Sequence, residues 1–153
     1  MKTFALAAAL AAGLAFGAQA ETFTFSNTGI LGASVVIPGP NGAVRIAGVA
    51  DFKGPTVMAG RSLPTDDHCA SWPALPGDIF ETHGQCTFSD PTGAGYVRFG
   101  CNPAKAPTEA NCVGGIWGTA GAYAGRSGTL AWHNKVSADG KSATAEGAGQ
   151  WGD

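Results

Sequence analysis

Beyond residue 21 no window of the chain carries a sustained helical apolar period. Short β-rich stretches recur instead between turn signals, at residues 22–26, at 33–37 before the turn PGPNG, at 43–52 and at 55–62. They read as antiparallel strands. In residues 63–78 the pattern is interrupted by Pro64, Pro73, Pro76 and Gly77, which predicts a long loop tied down by Cys69.

Alternate side chains of a strand face opposite sides of its sheet, so the pattern also assigns faces. In residues 79–88 one face is Phe80, Thr82, Gly84, Cys86 and Phe88, and the other is Ile79, Glu81, His83, Gln85 and Thr87. The first is expected to look inward. After the turn SDPTGAG, the return strand puts Val97, Phe99 and Cys101 on one side and Tyr96 and Arg98 on the other. Near the C-terminus, Asp139-Gly140 is the dipeptide that a two-residue type I′ hairpin turn prefers. A turn there sets Trp132 opposite Gly147, Leu130 opposite Gly149 and Val136 opposite Ala143 on one face. His133 falls opposite Glu146 on the other, as a solvent-facing pair. Large groups beside bare glycines suit the inner face of a strongly curved sheet.

Composition agrees with an all-β fold, since 24 glycines and 9 prolines punctuate the chain and few helices can form. A small, loop-rich barrel or sandwich fits. The first 20 residues stand apart: a basic start at Lys2, an apolar run from Phe4 to Phe16, and Ala18-Gln19-Ala20 as a cleavage site. They predict a signal peptide over 1–20 and a single domain over 21–153 in a secreted or periplasmic protein. The run is shorter than the roughly 20 residues of a membrane-spanning helix, and polar Glu21 and Thr22 follow it at once. No cysteine follows the cleavage site to carry a lipid, so no membrane anchor is expected after cleavage.

Nine basic and 11 acidic side chains give a net charge of −2 with no cluster of either sign. Nucleic acid and anionic membranes, which attract basic stripes, are therefore not expected partners. Cys69, Cys86, Cys101 and Cys112 are an even set in an exported chain and read as two disulfides. Of the three possible connectivities, pairing neighbours closes short local loops, the second containing Asn102, Pro103, Pro107 and Asn111. A metal site from His68, Cys69, His83 and Cys86 is the rival, but the spacing lacks C-x-x-C or H-x-x-x-H, and no metal or other cofactor is expected.

The segment GGIWGTAGAYAGRSGTL, residues 114–130, resembles the GGTGxYAGxxGxG segment of the allene oxide cyclase/dirigent β-barrel superfamily and of small exported bacterial proteins with that barrel. The shared positions are Gly118, Thr119, Gly121, Tyr123, Ala124, Gly125 and Gly128. The resemblance implies a small antiparallel β-barrel of about eight strands, with this segment joining two of them and Tyr123 packed across the turn. Members isomerise an apolar lipid epoxide or steer phenolic coupling within an apolar barrel. Neither catalytic carboxylate motif aligns residue by residue here, so no catalytic residue is carried over.

Other chemistry is sparse. The chain has no G-x-S-x-G and no G-x-x-x-x-G-K-[ST]. Asp66-Asp67-His68 is the densest polar cluster, expected as solvated loop residues, and Glu81 and His83 share a strand face as an exposed pair. Three functions remain. The leading one is a non-catalytic binder of a small apolar or aromatic ligand, using Trp117, Tyr123 and Trp132, with Phe88 nearby. A structural or envelope-interaction barrel and an isomerase or cyclase are the alternatives. The last requires an inward carboxylate or histidine, and the facing assignments put Glu81, His83, His133 and Glu146 outside.

Overall fold

The computed structural model describes residues 20–39 and 42–152. Eight strands follow in order: β1 (Glu21–Gly39), β2 (Gly42–Met58), β3 (Arg61–Pro73), β4 (Thr82–Asp90), β5 (Gly93–Pro103), β6 (Glu109–Gly121), β7 (Ser127–Val136) and β8 (Ser142–Trp151). Each pairs antiparallel with its neighbour in sequence, and β8 returns to β1 from Glu21↔Trp151 to Ile30↔Ser142. The expected all-β barrel is the observed architecture. Closure leaves no free edge among the paired segments, which explains how so glycine-rich a sheet stays in register.

Element boundaries differ from the sequence reading in several places. Residues 22–26 and 33–37 belong to one strand, because β1 pairs with β2 from Phe23↔Met58 to Gly39↔Gly42, register shifts after Leu31 and Val35 absorbing the irregularity. Residues 43–52 and 55–58 are likewise one strand. The turn after it is Ala59-Gly60, with φ of 49° and 74°, and residues 40–41 of PGPNG lie outside the described residues. Most of the expected loop at 63–78 is strand β3, leaving only residues 74–81 as connection. Prolines misled here because Pro64 sits opposite Pro55 with both rings exposed: beside Pro55 the β1 ladder skips from Phe25↔Thr56 to Thr28↔Lys53, and on the other side the β4 ladder ends at Asp66↔Ser89, short of Pro64. A missing N–H costs a ladder little where pairing has already lapsed.

The C-terminal register is the one expected: Trp132↔Gly147, Leu130↔Gly149, Val136↔Ala143 and His133↔Glu146 are all paired. Its turn is wider than a type I′ pair. Only Gly140 has positive φ (68°), Gly140 N–H donates to Ser137 O at 2.9 Å, and the Asp139 carboxylate accepts from Ser137 Oγ at 2.7 Å and Lys141 N–H at 3.1 Å. Phe80 is not inward. It precedes β4, so strand alternation does not govern it, and its ring lies outside the barrel where a Gly100 side chain would stand, edge-on to His83 at 5.8 Å.

Cys69–Cys86 staples β3 to β4 and Cys101–Cys112 staples β5 to β6, each bridging directly paired residues. Neighbour pairing holds, and it removes the metal reading of Cys69 and Cys86. Two disulfides are consistent with an oxidising, extracytoplasmic environment. The expected leader falls on residues 1–19, outside the described residues, apart from Ala20.

One end of the barrel is filled by Phe23, Met58, Phe88, Val97, Ile116, Tyr123 and Trp151. Tyr123 stacks on Trp151 with centroids 5.1 Å apart, and Phe23 and Phe88 lean on the same indole at 6.1 and 6.2 Å. Arg126 covers Trp151 from 5.3 Å while paired with Glu21 at 2.9 Å, and so seals this floor.

Candidate functional site

Above that floor the interior is hollow. A cavity of about 660 Å³ runs to the opposite end of the barrel, within the range of small-molecule sites. Phe25, Phe52, Phe99, Leu130 and Trp132 supply much of its apolar wall, and both disulfides face it. Trp132 meets Phe99 edge-on at 5.2 Å and Phe25 at 6.5 Å. Gly147 makes this arrangement fit, since a Cβ there would lie 2.5 Å from Trp132 Cβ and 2.8 Å from the Phe25 ring.

One wall is polar. Asn27 continues the inward face of Phe23 and Phe25 on β1, while Thr65 and Asp67 share the inward face of Cys69 on β3. Between them β2 offers Gly54, whose absent side chain leaves the space that Asn27 crosses: a Cβ there would strike the Ser26 carbonyl and Asn27 itself. Asn27 thereby reaches two strands away, its Nδ2 donating to Asp67 Oδ2 at 2.6 Å. Thr65 Oγ1 donates to Thr56 Oγ1 at 2.9 Å beside them. Asn27 is only 5 % exposed, and its Oδ1 has no hydrogen-bond partner. Burial pushes the Asp67 carboxyl up to about 6; the neighbouring Asp66 charge adds to this, while the Asn27 hydrogen bond and His68 oppose it.

At the floor, Tyr123 O–H donates to Asp90 Oδ2 at 2.5 Å, and Asp90 Oδ1 accepts from Thr92 N–H and Oγ1, each at 2.6 Å, and from Gly93 N–H at 3.0 Å. Burial alone would raise Asp90. The hydroxyl and backbone donors outweigh it and hold the carboxyl below its usual range. Burial, and then the bond to Asp90, push the Tyr123 phenol up to about 12. At the mouth stand Glu81, Asn102, Pro103, Pro107, Thr108 and Glu109.

Among the expected ligand-contact residues, Tyr123 and Trp132 line the cavity, as does Phe88. Trp117 does not. Its inward neighbour on β6 is Ile116, and the Trp117 ring lies outside over Gly115, stacked on Tyr96 at 5.2 Å and 37 % exposed. Glu81 rims the mouth, because it precedes β4 and escapes the strand alternation that placed it outside with His83. The two do not pair: His83 Nε2 meets Asp78 Oδ2 at 2.9 Å. His133 contacts Asn111 Oδ1 at 3.0 Å and Glu109 Oε2 at 3.4 Å rather than Glu146.

Asp66-Asp67-His68 is strand rather than loop, and alternation splits it. Asp66 pairs with Lys53 at 3.0 Å and His68 with Asp51 at 2.7 Å on the exposed face, while Asp67 turns inward. The sequence held a signal for this, since Asp67 shares parity with Cys69. Asn27 likewise shares parity with Phe23 and Phe25.

The fold and site define a closed antiparallel β-barrel, plugged with aromatics at one end and open to an apolar cavity with a part-buried polar pair. Compared with known proteins, the chain matches no family model and no curated protein.

Proposed function

We propose that the protein is an exported, non-catalytic binder of a small apolar or aromatic molecule held inside the barrel. The cavity of about 660 Å³ carries this reading, since a solidly packed structural barrel would have no such space. Export through a leader over residues 1–20, to the periplasm or the exterior, belongs to the same proposal and is supported by the two disulfides. So does kinship with the allene oxide cyclase/dirigent barrels, supported by the eight-stranded closure and by Tyr123 packed across the β6–β7 connection.

Trp132 on the wall and Trp151 in the floor make intrinsic fluorescence the natural readout. A panel of fatty acids, phenolics, terpenoids and apolar amines should contain members that shift the emission and raise the melting temperature at micromolar concentrations. Unchanged emission and melting temperature across the panel would overturn the reading. Asp67, inward and with its carboxyl raised to about 6, favours a second reading as an isomerase or cyclase. Mass spectrometry of the bound molecule separates the two: a binder returns it unchanged, and a rearranged product that disappears in Asp67→Asn identifies an enzyme.

A further inference from the structure

Among the described residues, every charged side chain lining the cavity is acidic: Asp67 on the wall, Asp90 at the floor, Glu81 and Glu109 at the mouth. Two of these are compensated. Glu109 is faced by Lys135 at 3.6 Å and His133 at 3.4 Å from outside the barrel, and Asp90 is surrounded by hydroxyl and backbone donors. Asp67 has one donor, the Asn27 amide, and Asp66 and His68 flank it on the opposite face of β3.

A half-buried carboxylate turned into the cavity lacks a cation, and the amide oxygen beside it lacks a donor. Asn27 gives one of its two amide N–H groups to Asp67, and its Oδ1, packed over Gly54 on a side chain only 5 % exposed, has no hydrogen-bond partner. The polar wall therefore offers a carboxylate with a single donor and no facing cation, and it asks for N–H donors on a cation. Glu81 extends the preference outward, since an acidic group at the mouth of a cavity draws cations in and turns anions away.

We propose that the barrel binds a protonated primary amine carried on an apolar body, its ammonium seated on the inward Asp67 carboxylate and its body against Phe25, Phe52, Phe99 and Trp132. This rests on the cavity-binding reading above. An ammonium brings three N–H donors and one charge, which answer both the charge of the carboxylate and its shortage of donors. An alcohol of the same shape satisfies one acceptor and no charge. A carboxylic acid, ionised at neutral pH, meets only like charge.

The test is calorimetric titration of the exported protein near neutral pH with 6-phenylhexylamine, 6-phenylhexanol, 6-phenylhexanoate and the trimethylammonium analogue of the amine. The amine should bind at least tenfold tighter than the alcohol and than the trimethylammonium compound, which keeps the charge without donors, and the acid should not bind measurably. Asp67→Asn keeps the shape and a partner for Asn27. It should erase the preference for amine over alcohol and leave alcohol affinity within about twofold, which also shows that the barrel is intact. Alcohol binding as tightly as amine would overturn the amine assignment and leave the cavity reading standing; tightest binding by the acid would do the same. If none of the four binds, the amine assignment falls, and the cavity reading falls with it when the wider panel also leaves emission and melting temperature unchanged.

Discussion

Asp67 is a carboxyl group that the fold holds at a cost. Its folded pKa, raised to about 6 by burial, exceeds the usual unfolded value of 3.8, so the folded chain binds the proton more tightly than the unfolded chain. Stability linked to Asp67 is therefore greatest below pH about 4 and is lost as pH rises through about 6. The hydrogen-bonded Asp90 has the opposite sign, its contribution fading as pH falls below the unfolded value. Denaturant titrations of wild type and Asp67→Asn at a series of pH values isolate the first term. The variant should gain on the order of 2–3 kcal/mol relative to wild type between pH 4 and pH 8, with no further gain above. A difference independent of pH would mean that Asp67 is not desolvated as described. Gly54 belongs to the same device, since a methyl group there meets the Ser26 carbonyl and the Asn27 side chain. Gly54→Ala should cost about 1–3 kcal/mol, visible as a lower denaturant midpoint with unchanged m-value.

Within the elements, the C-terminal hairpin gives adjacent residues opposite fates. Trp132 faces inward against Phe99 and Phe25, while His133 sits on the outer face beside Asn111 and Glu109. Trp132→Ala should destabilise by about 3 kcal/mol, the low end for a large aromatic because the ring borders a cavity, and His133→Ala by less than about 1 kcal/mol. Equal losses in thermal or chemical denaturation would contradict the register. The β2–β3 turn contains a different kind of strain. Ala59 has φ of 49°, a left-handed conformation that alanine adopts reluctantly and asparagine tolerates. Ala59→Asn converts the turn to the preferred Asn-Gly pair and should raise stability by about 0.5–1 kcal/mol, read as a higher melting temperature.

Over the whole molecule, the barrel divides into a packed floor and a hollow remainder, so covalent staples in the hollow part carry weight that core packing cannot. Cys69–Cys86 and Cys101–Cys112 line that part and close intervals of 17 and 11 residues. In the chain-entropy view each restricts the unfolded chain by about 3 kcal/mol. Thermal unfolding with and without a strong reductant should show a large drop in melting temperature on reduction; an unchanged midpoint would place the stability elsewhere.

The sequence by itself determined the fold class, the inward set Val97, Phe99 and Cys101, and the pairing of Trp132 with Gly147, because strand alternation and a turn dipeptide are local and survive without knowledge of neighbours. The C-terminal register held although its turn type did not, since Asp139 draws local donors instead of entering positive φ. Tertiary structure decided the rest. Pro64 and Pro73 look like loop residues until closure places Pro64 opposite Pro55 and leaves Pro73 at the end of β3. Glu81 and Phe80 follow no strand parity because β4 begins after them. The Asn27–Asp67 pair joins residues 40 apart in sequence across an intervening strand, and it exists only because Gly54 leaves a gap there. Local pattern can say which way a side chain points, whereas which inward side chains meet depends on how the sheet curves and closes.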